Sequence, residues 1–261
     1  MQKIYYYRTL SLLFTVLISI YLSGNALGQE EREVELTAQE MLARVDAMLK
    51  YPAGILKGTL LHIQPNGSTR RIQLKAFIQD SNYLFRLETS SRGEEQKVLY
   101  TLNGEDIWVY NVLSRQLFHK MSIDKFDSLL NTNFFYIDLS NADLQSNYTA
   151  SIDGEVFVKG RDALRLKCEP LLKSGEYGLL TLYVSKDDFI PLRIDYHDSD
   201  RVVFKTMSVA KVAERNNRKF PVRYDMLNIR TGTVTIFEIF DIDEKARFDR
   251  SIFRPEKLGE H

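Results

Sequence analysis

The stretch GEDIWVYNVLSRQLFHK, residues 104–120, contains the single tryptophan of this 261-residue chain. Its alternation predicts a β-strand, with Trp108 and Tyr110 on one side and Ile107 and Val109 on the other. A strand of a one-sided antiparallel sheet has one apolar face and one polar face. Neither face is polar here, so we expect both to be covered, by other parts of the protein or by a bound molecule.

Period-two patterns continue over most of the chain after residue 55, and the turns between them are rich in Gly, Asn and Asp. About a dozen short strands joined in this way predict an antiparallel meander, too long to stay a flat open sheet. In TVTIFEIF, Val234 and Ile236 share one side, and Phe237 and Ile239 share the other. We therefore predict a mainly β (α+β) protein whose sheet curls around an apolar interior.

Two segments break the period of two. Residues 37–50 have an apolar stripe at helical spacing, and Thr37 and Glu40 have the spacing of a capping box. Residues 122–146, which we call the insertion, interrupt the strands with an apolar, irregular segment. We expect its apolar side chains to cover or fill the sheet, either as a movable lid or as permanent core. They are Phe126, Leu129, Leu130, Phe134, Phe135 and Tyr136.

The start of the chain has the pattern of a secretory signal peptide. Lys3 and Arg8 precede an uncharged apolar run, residues 10–22, and small residues follow as far as Gly28. The alternative is an uncleaved membrane anchor, which needs about 18–20 apolar residues. We expect cleavage after Gly28, which leaves residues 29–261 as a single domain outside the cytoplasm.

Composition and motifs limit the possible functions. The chain has 35 basic and 35 acidic residues, and nothing in this balance predicts nucleic-acid binding, for which a clustered basic surface is typical. The four histidines are scattered, and no metal motif, nucleophile elbow or phosphate loop is present. The single cysteine, Cys168, lies in a predicted strand and is expected to be buried. We predict no enzyme activity, no catalytic or metal-binding residues and no cofactor.

The segment LNGEDIWVYNVLSRQ matches a pattern of a known family. The matching residues are Gly104, Ile107, Trp108, Tyr110, Asn111 and Gln116. They resemble the Asp-Gly, aliphatic-Trp-aromatic-Tyr-Asn-Pro and later Gln of the LolA-like outer membrane lipoprotein-sorting proteins. Val109 and Val112 stand where that pattern has an aromatic residue and a proline.

Three further segments resemble the same family in the same order. NTNFFYIDL keeps Phe134, Tyr136, Asp138 and Leu139 of a motif in the family's middle insertion. LYVSKDDFIPLRIDYHD and FPVRYDMLNIRTG resemble later segments. The resemblance covers about residues 37–258.

The resemblance implies an unclosed antiparallel β-barrel, or strongly curved single sheet of about 10–12 strands, around an apolar groove with a helical lid. It implies a periplasmic carrier that shields the acyl chains of lipoproteins and delivers them toward the outer membrane. An inner-membrane transporter and an outer-membrane acceptor would be its partners, and we expect a monomer. Two alternatives stay open: a carrier of another lipid, such as a glycolipid or terpenoid, working with a membrane transporter, and an envelope sensor or scaffold that binds a partner protein.

The groove and lid can be assigned to residues. We expect the groove to be lined by Phe85, Leu87, Trp108, Tyr110, Phe237 and Ile239. The lid elements are expected at about residues 37–50 and 122–146. LolA itself has an arginine before a Pro-Asn step that holds the lid closed. Gln79 and Asp80 stand in the corresponding stretch here, so we do not expect this lid to close by that contact.

Overall fold

Most strands of the protein follow one another through short turns, as the alternation predicts. The computed structural model describes residues 36–89, 94–140, 143–172, 176–215 and 217–260. The predicted signal peptide and its cleavage site lie outside the described residues. One helix, α1 (Ala38–Leu49), precedes the strands. Among the described residues, no helix has the length and apolar character needed to cross a membrane.

The described residues contain thirteen strands, all in one antiparallel sheet. The first six are β1 (Gly54–Ile63), β2 (Thr69–Gln79), β3 (Asn82–Thr89), β4 (Glu95–Thr101), β5 (Asp106–Asn111) and β6 (Gln116–Lys120). The other seven are β7 (Tyr148–Val158), β8 (Arg161–Pro170), β9 (Leu179–Ser185), β10 (Pro191–His197), β11 (Val203–Arg215), β12 (Arg218–Asn228) and β13 (Thr233–Asp243). The predicted unclosed, mainly β fold is confirmed.

The order of the strands places the first and last of them side by side. It runs β6-β5-β4-β3-β2-β1-β13-β12-β11-β10-β9-β8-β7. Strand β1 pairs with β13 in the middle of the sheet, where Leu60 lies opposite Phe237. Strands β6 and β7 form the two edges, so the sheet does not close into a barrel. The chain between β6 and β7 must therefore pass from one edge to the other.

This connection is the insertion, and it crosses one face of the sheet, which we call the inner face. Its helical pieces are the 3-10 helices Ser122–Phe126 and Leu129–Asn131 and the short α-helices α2 (Tyr136–Leu139) and α3 (Leu144–Asn147). Phe134 packs edge-to-face on Phe237 of β13, with ring centroids 6.1 Å apart. The Tyr100 hydroxyl of β4 donates a hydrogen bond of 2.8 Å to the Tyr136 carbonyl. The inner face is thus covered by a segment of the same chain.

The opposite, outer face is covered by the C-terminal segment, residues 244–260. Two 3-10 helices in this segment, Arg250–Phe253 and Pro255–Lys257, bring Phe253 and Leu258 onto strands β2 to β5. The residues of this cluster are Phe77, Leu84, Leu99, Phe253 and Leu258, with Ile55, Trp108, Tyr110, Phe248 and Ile252 at its margin. Both faces of β5 are therefore covered by other parts of the protein.

Helix α1 is joined to the insertion by a buried carboxylate. The predicted capping box of Thr37 and Glu40 is present at its start, which confirms that prediction. Asp46 accepts hydrogen bonds from the backbone N–H groups of Leu144 (3.0 Å) and Gln145 (2.9 Å) at the start of α3. Burial raises the pKa of Asp46 to about 6, against the hydrogen bonds, which favour the charged form.

This raised pKa predicts a pH-dependent stability. The unfolded chain releases the Asp46 proton near its ordinary pKa of 3.8, whereas the folded protein holds it to about 6, so stability falls as pH rises through this interval. The loss is about 3 kcal/mol in the free energy of unfolding. We expect Asp46→Asn to remove this loss in urea denaturation at a series of pH values. A constant difference between the two proteins from pH 4 to pH 6.5 would contradict the assignment.

Candidate functional site

An apolar cavity lies between the inner face and the segments that cover it. Its volume is about 410 Å³, within the range of about 300–1,000 Å³ typical of small-molecule sites. Leu49 of α1 and Leu144 of α3 line one side. The strands supply the wall, mostly with aromatic and aliphatic side chains, which include Tyr83, Phe85, Leu180, Ile194, Met207 and Phe237. Such a lining favours a ligand with a long apolar part.

The insertion supplies the cover of the cavity. Phe126, Phe134 and Leu139 all line it. Gly104, in the turn that leads into β5, has φ +89°, and a Cβ there would stand 2.6 Å from the Cβ of Ser140. Only a residue without a side chain allows the insertion to pack so closely on this turn.

The structure places only some of the predicted groove residues in the lining of the cavity. Phe85 and Phe237 line the cavity. Leu87 and Ile239 are buried on the same inner face, but outside the cavity lining. A role for these four side chains in holding a ligand stays a prediction.

The structure corrects the prediction that Trp108 and Tyr110 line the groove. Both point to the outer face, where they pack at the margin of the C-terminal cluster. The Trp108 ring stacks on the His119 ring at a centroid distance of 4.0 Å. The inner face of β5 instead presents Ile107 and Val109, which are buried opposite Tyr100 and Val98 of β4.

The six predicted lid residues all lie in the cover. Phe126 and Phe134 reach the cavity, and Leu129, Leu130 and Tyr136 are buried beside it. Phe135 is partly buried and stacks on the ring of Tyr177, with centroids 5.9 Å apart. Their exchange with a ligand stays a prediction.

Asn133 and Arg70 hold the first half of the insertion against the sheet. The Asn133 side chain donates to the carbonyls of Met226 (3.0 Å) and Thr233 (2.8 Å), and its backbone N–H donates to Thr235 Oγ1 (3.0 Å). The Arg70 guanidinium of β2 donates to two carbonyls of the insertion, at Leu130 and Asn131.

A buried ion pair holds the second half. Lys205 Nζ of β11 lies 2.6 Å from Asp138 Oδ2 of α2, and the two side chains are only 1% and 3% exposed. Asp138 also accepts hydrogen bonds from the Tyr177 hydroxyl (2.6 Å) and the Phe135 N–H (2.7 Å). The Lys205 ammonium lies over the rings of Phe135, Tyr196 and Tyr177, at 3.7, 4.7 and 4.9 Å.

Two features of the surroundings of Lys205 act on the pKa of its ammonium group. Burial lowers the pKa of Lys205 below its usual value, and the neighbouring Asp138 opposes that shift. The charged pair is held together because an isolated buried ammonium would be far less stable.

The sequence contained a signal for Lys205 that motif reasoning missed. Lys205 alternates with Met207 and Val209, so it occupies the apolar side of its strand. A charged residue at such a position is rarely buried without a partner. Gln79 and Asp80, the residues predicted to stand in place of the LolA arginine, lie at the turn between β2 and β3. Asp80 Oδ2 is 3.5 Å from the guanidinium of Arg250 in the C-terminal segment.

The described residues contain neither a cluster of metal ligands nor an exposed thiol. Within the described ranges, no group of three or more His, Cys, Asp or Glu side chains could hold a metal ion. Cys168 is buried, as predicted, and burial raises the pKa of its thiol to about 12. Such a thiol is unreactive at neutral pH.

The packing of Phe134 predicts a large effect of its truncation. Phe134→Ala leaves a void between the insertion and Phe237, and we expect a loss of about 3–5 kcal/mol in the free energy of unfolding. Phe157→Ala is the matched control, because Phe157 of β7 is 72% exposed and should cost less than about 0.5 kcal/mol. Urea denaturation measures both. Equal losses in the two variants would show that Phe134 is not part of the core.

Comparison with known proteins places the chain in a family. Residues 79–260 match the model of a family whose description reads "Uncharacterized protein". No curated protein sequence matches the chain.

Solved structures share the fold at low sequence identity. One is described as a putative outer membrane lipoprotein-sorting protein domain from Vibrio parahaemolyticus; it is 18% identical, with 85% of this chain and 98% of that chain covered and a TM-score of 0.74. A DUF1329 family protein from Desulfovibrio piger is 18% identical, with 85% and 97% covered and a TM-score of 0.72. A LolA superfamily protein from Nitrosomonas europaea is 16% identical, with 85% and 100% covered and a TM-score of 0.71. The chain therefore belongs to the family whose model matches residues 79–260, and its fold is the LolA-like fold that the sequence motifs predicted.

Proposed function

We propose that this protein is a periplasmic carrier that shields the acyl chains of lipoproteins in the apolar cavity and delivers them toward the outer membrane. The observation that carries the proposal is the cavity itself, which is apolar, large enough for a small ligand and covered by a segment of the same chain. The likeness to a structure described as a lipoprotein-sorting domain supports lipoproteins as the cargo.

An aqueous compartment makes such a carrier necessary. Each CH₂ group transferred from a membrane into water costs about 0.8 kcal/mol, so a long acyl chain costs on the order of 10 kcal/mol. A cavity lined by side chains such as Phe85, Ile194 and Phe237 offsets that cost without directional contacts. Chains of different lengths can therefore be accommodated.

Release requires that the empty cavity be filled by the protein. Phe126 and Phe134 of the insertion already line the cavity and contact its other aromatic residues. If these side chains move aside for an acyl chain, the chain replaces them in the cavity. The net binding free energy is then the difference between burying the acyl chain and burying Phe126 and Phe134. That difference is small enough for transfer to a partner, which we propose is an outer-membrane acceptor, after loading at an inner-membrane transporter.

The polar groups at the cavity favour a carrier over an enzyme. The Asp138 carboxylate is paired with Lys205. The Asp143 carboxylate accepts a hydrogen bond from the Ser146 N–H at the start of α3. These two carboxylates thus have structural partners, and the third carboxylate of the lining, Glu105, is exposed to solvent. We propose that the protein has no catalytic activity and that it acts as a monomer.

The cargo can be identified directly. The protein is purified gently from its own cell envelope and examined by native mass spectrometry, with the released ligand identified. We expect a triacylated peptide or lipoprotein. A discrete free lipid would assign the protein to carriers of another lipid, and a protein that never retains any acyl ligand would contradict the carrier function.

Filling the cavity should abolish acyl-chain binding. We expect Ile194→Trp to weaken the binding of cis-parinaric acid, a fluorescent fatty acid, by about tenfold or more, because the larger ring occupies the space of the chain. Ile152→Trp is the matched control, since Ile152 of β7 is 42% exposed and does not line the cavity. Thermal unfolding checks that both variants are folded. Undiminished binding by a folded Ile194→Trp variant would place the chain elsewhere.

A further inference from the structure

We infer that the cavity has a head-group site at Lys205 and that the acylated cargo carries a negatively charged group, a carboxylate or a phosphate, beside its acyl chains. The inference rests on the proposed function, because it assigns a polar end to a cavity proposed to hold acyl chains. Its starting point is the location of the two partners of the buried ion pair.

The pair joins the wall of the cavity to its cover. Lys205 belongs to β11, in the interior of the sheet, whereas Asp138 belongs to α2 of the insertion. Their atoms are 2.6 Å apart and almost fully buried. Any displacement of α2 from the sheet separates the positive charge of Lys205 from the negative charge of Asp138.

Separation would affect the two partners differently. Asp138 would move with the insertion and become hydrated. Lys205 would stay in the sheet beside the rings of Tyr177 and Tyr196 and the Asn133 carbonyl, which lies 3.5 Å from its Nζ. These groups attract a cation but do not carry the negative charge of a carboxylate. Removing one partner of a buried pair is strongly unfavourable, because it leaves an uncompensated charge. A ligand that brings its own anion removes this cost.

Asp138 already occupies the site in the manner of a carboxylate ligand. One of its oxygens accepts from Lys205 Nζ at 2.6 Å, and the other accepts from the Tyr177 hydroxyl at 2.6 Å. Both donors lie outside the insertion. They would remain in place for the two oxygens of an incoming head group when Asp138 leaves.

The site adjoins the apolar cavity, although Lys205 itself is not among the lining side chains. Asp138, Tyr177 and Tyr196 line the cavity together with Ile194 and Phe237. A head group bound to Lys205 and Tyr177 would therefore direct its acyl chain along the apolar wall. The same arrangement disfavours a cationic head group, which would meet the ammonium.

The wild-type protein provides the first test. The full chain, stripped of bound lipid, is titrated by calorimetry at pH 7.5 with four probes of equal chain length: dodecanoate, dodecyl phosphate, dodecanol and dodecyltrimethylammonium. We expect at least one of the two anions to bind about tenfold or more tightly than dodecanol, and the cation to bind more weakly than dodecanol. The tighter of the two anions identifies carboxylate or phosphate as the head group.

Two variants of the same ion pair provide the second test. Lys205→Met should abolish the preference for the anions over dodecanol. Asp138→Asn should instead strengthen anion binding, by about tenfold, because it weakens the internal competitor while keeping the side-chain shape. A merely structural ion pair predicts changes in the same direction in both variants.

The outcomes separate this inference from the proposed function. Equal binding of anions and dodecanol by the wild-type protein overturns the head-group site and leaves the carrier function standing. Equal losses for charged and neutral probes in Lys205→Met also overturn it. Failure of all four probes to bind contradicts the acyl-chain carrier itself. The wild-type series decides the question even where a variant does not fold.

Discussion

The structure depends on one topological constraint: β6 and β7 follow each other in sequence but lie at opposite edges of a thirteen-stranded sheet. The insertion between them has to cross a face of the sheet. Because that face is apolar, the crossing segment must be apolar too, which accounts for Leu129 and Phe134. The cavity is the space that this crossing leaves unfilled. Cover and cavity are thus two results of the same connection.

Periodicity and motifs predicted the fold class, the capped first helix and the irregular insertion. The face of Trp108 was not predictable, because both sides of β5 are apolar and alternation does not say which side is inner. The outer cover comes from scattered residues such as Phe253 and Leu258, which follow neither a helical nor a strand period. Such a cover has no recognisable pattern before the sheet it rests on is known.

The ion pair between Lys205 and Asp138 was not predicted from the sequence, for a different reason. Lys205 and Asp138 are 67 residues apart, and they meet only because the insertion crosses the sheet. Lys205 could have been noticed as a charge on the apolar side of a strand, but its partner could not have been named. Buried pairs add little net stability, and in some proteins they specify which arrangement is adopted. In this fold, that arrangement is the closed cover.

The pairing of β1 with β13 has a consequence for folding. Lys57 and Asp241 lie 184 residues apart and are joined across this central pair. Proteins dominated by such distant contacts fold slowly, because a long loop must close before the contact is made. Until the last strand is synthesised, β1 is an open edge with Leu56 and Leu60 exposed, the kind of edge that recruits other chains into aggregates. Strands β1 to β6 and strands β7 to β13 can each pair in sequence order, but the sheet is complete only when the last strand pairs with the first.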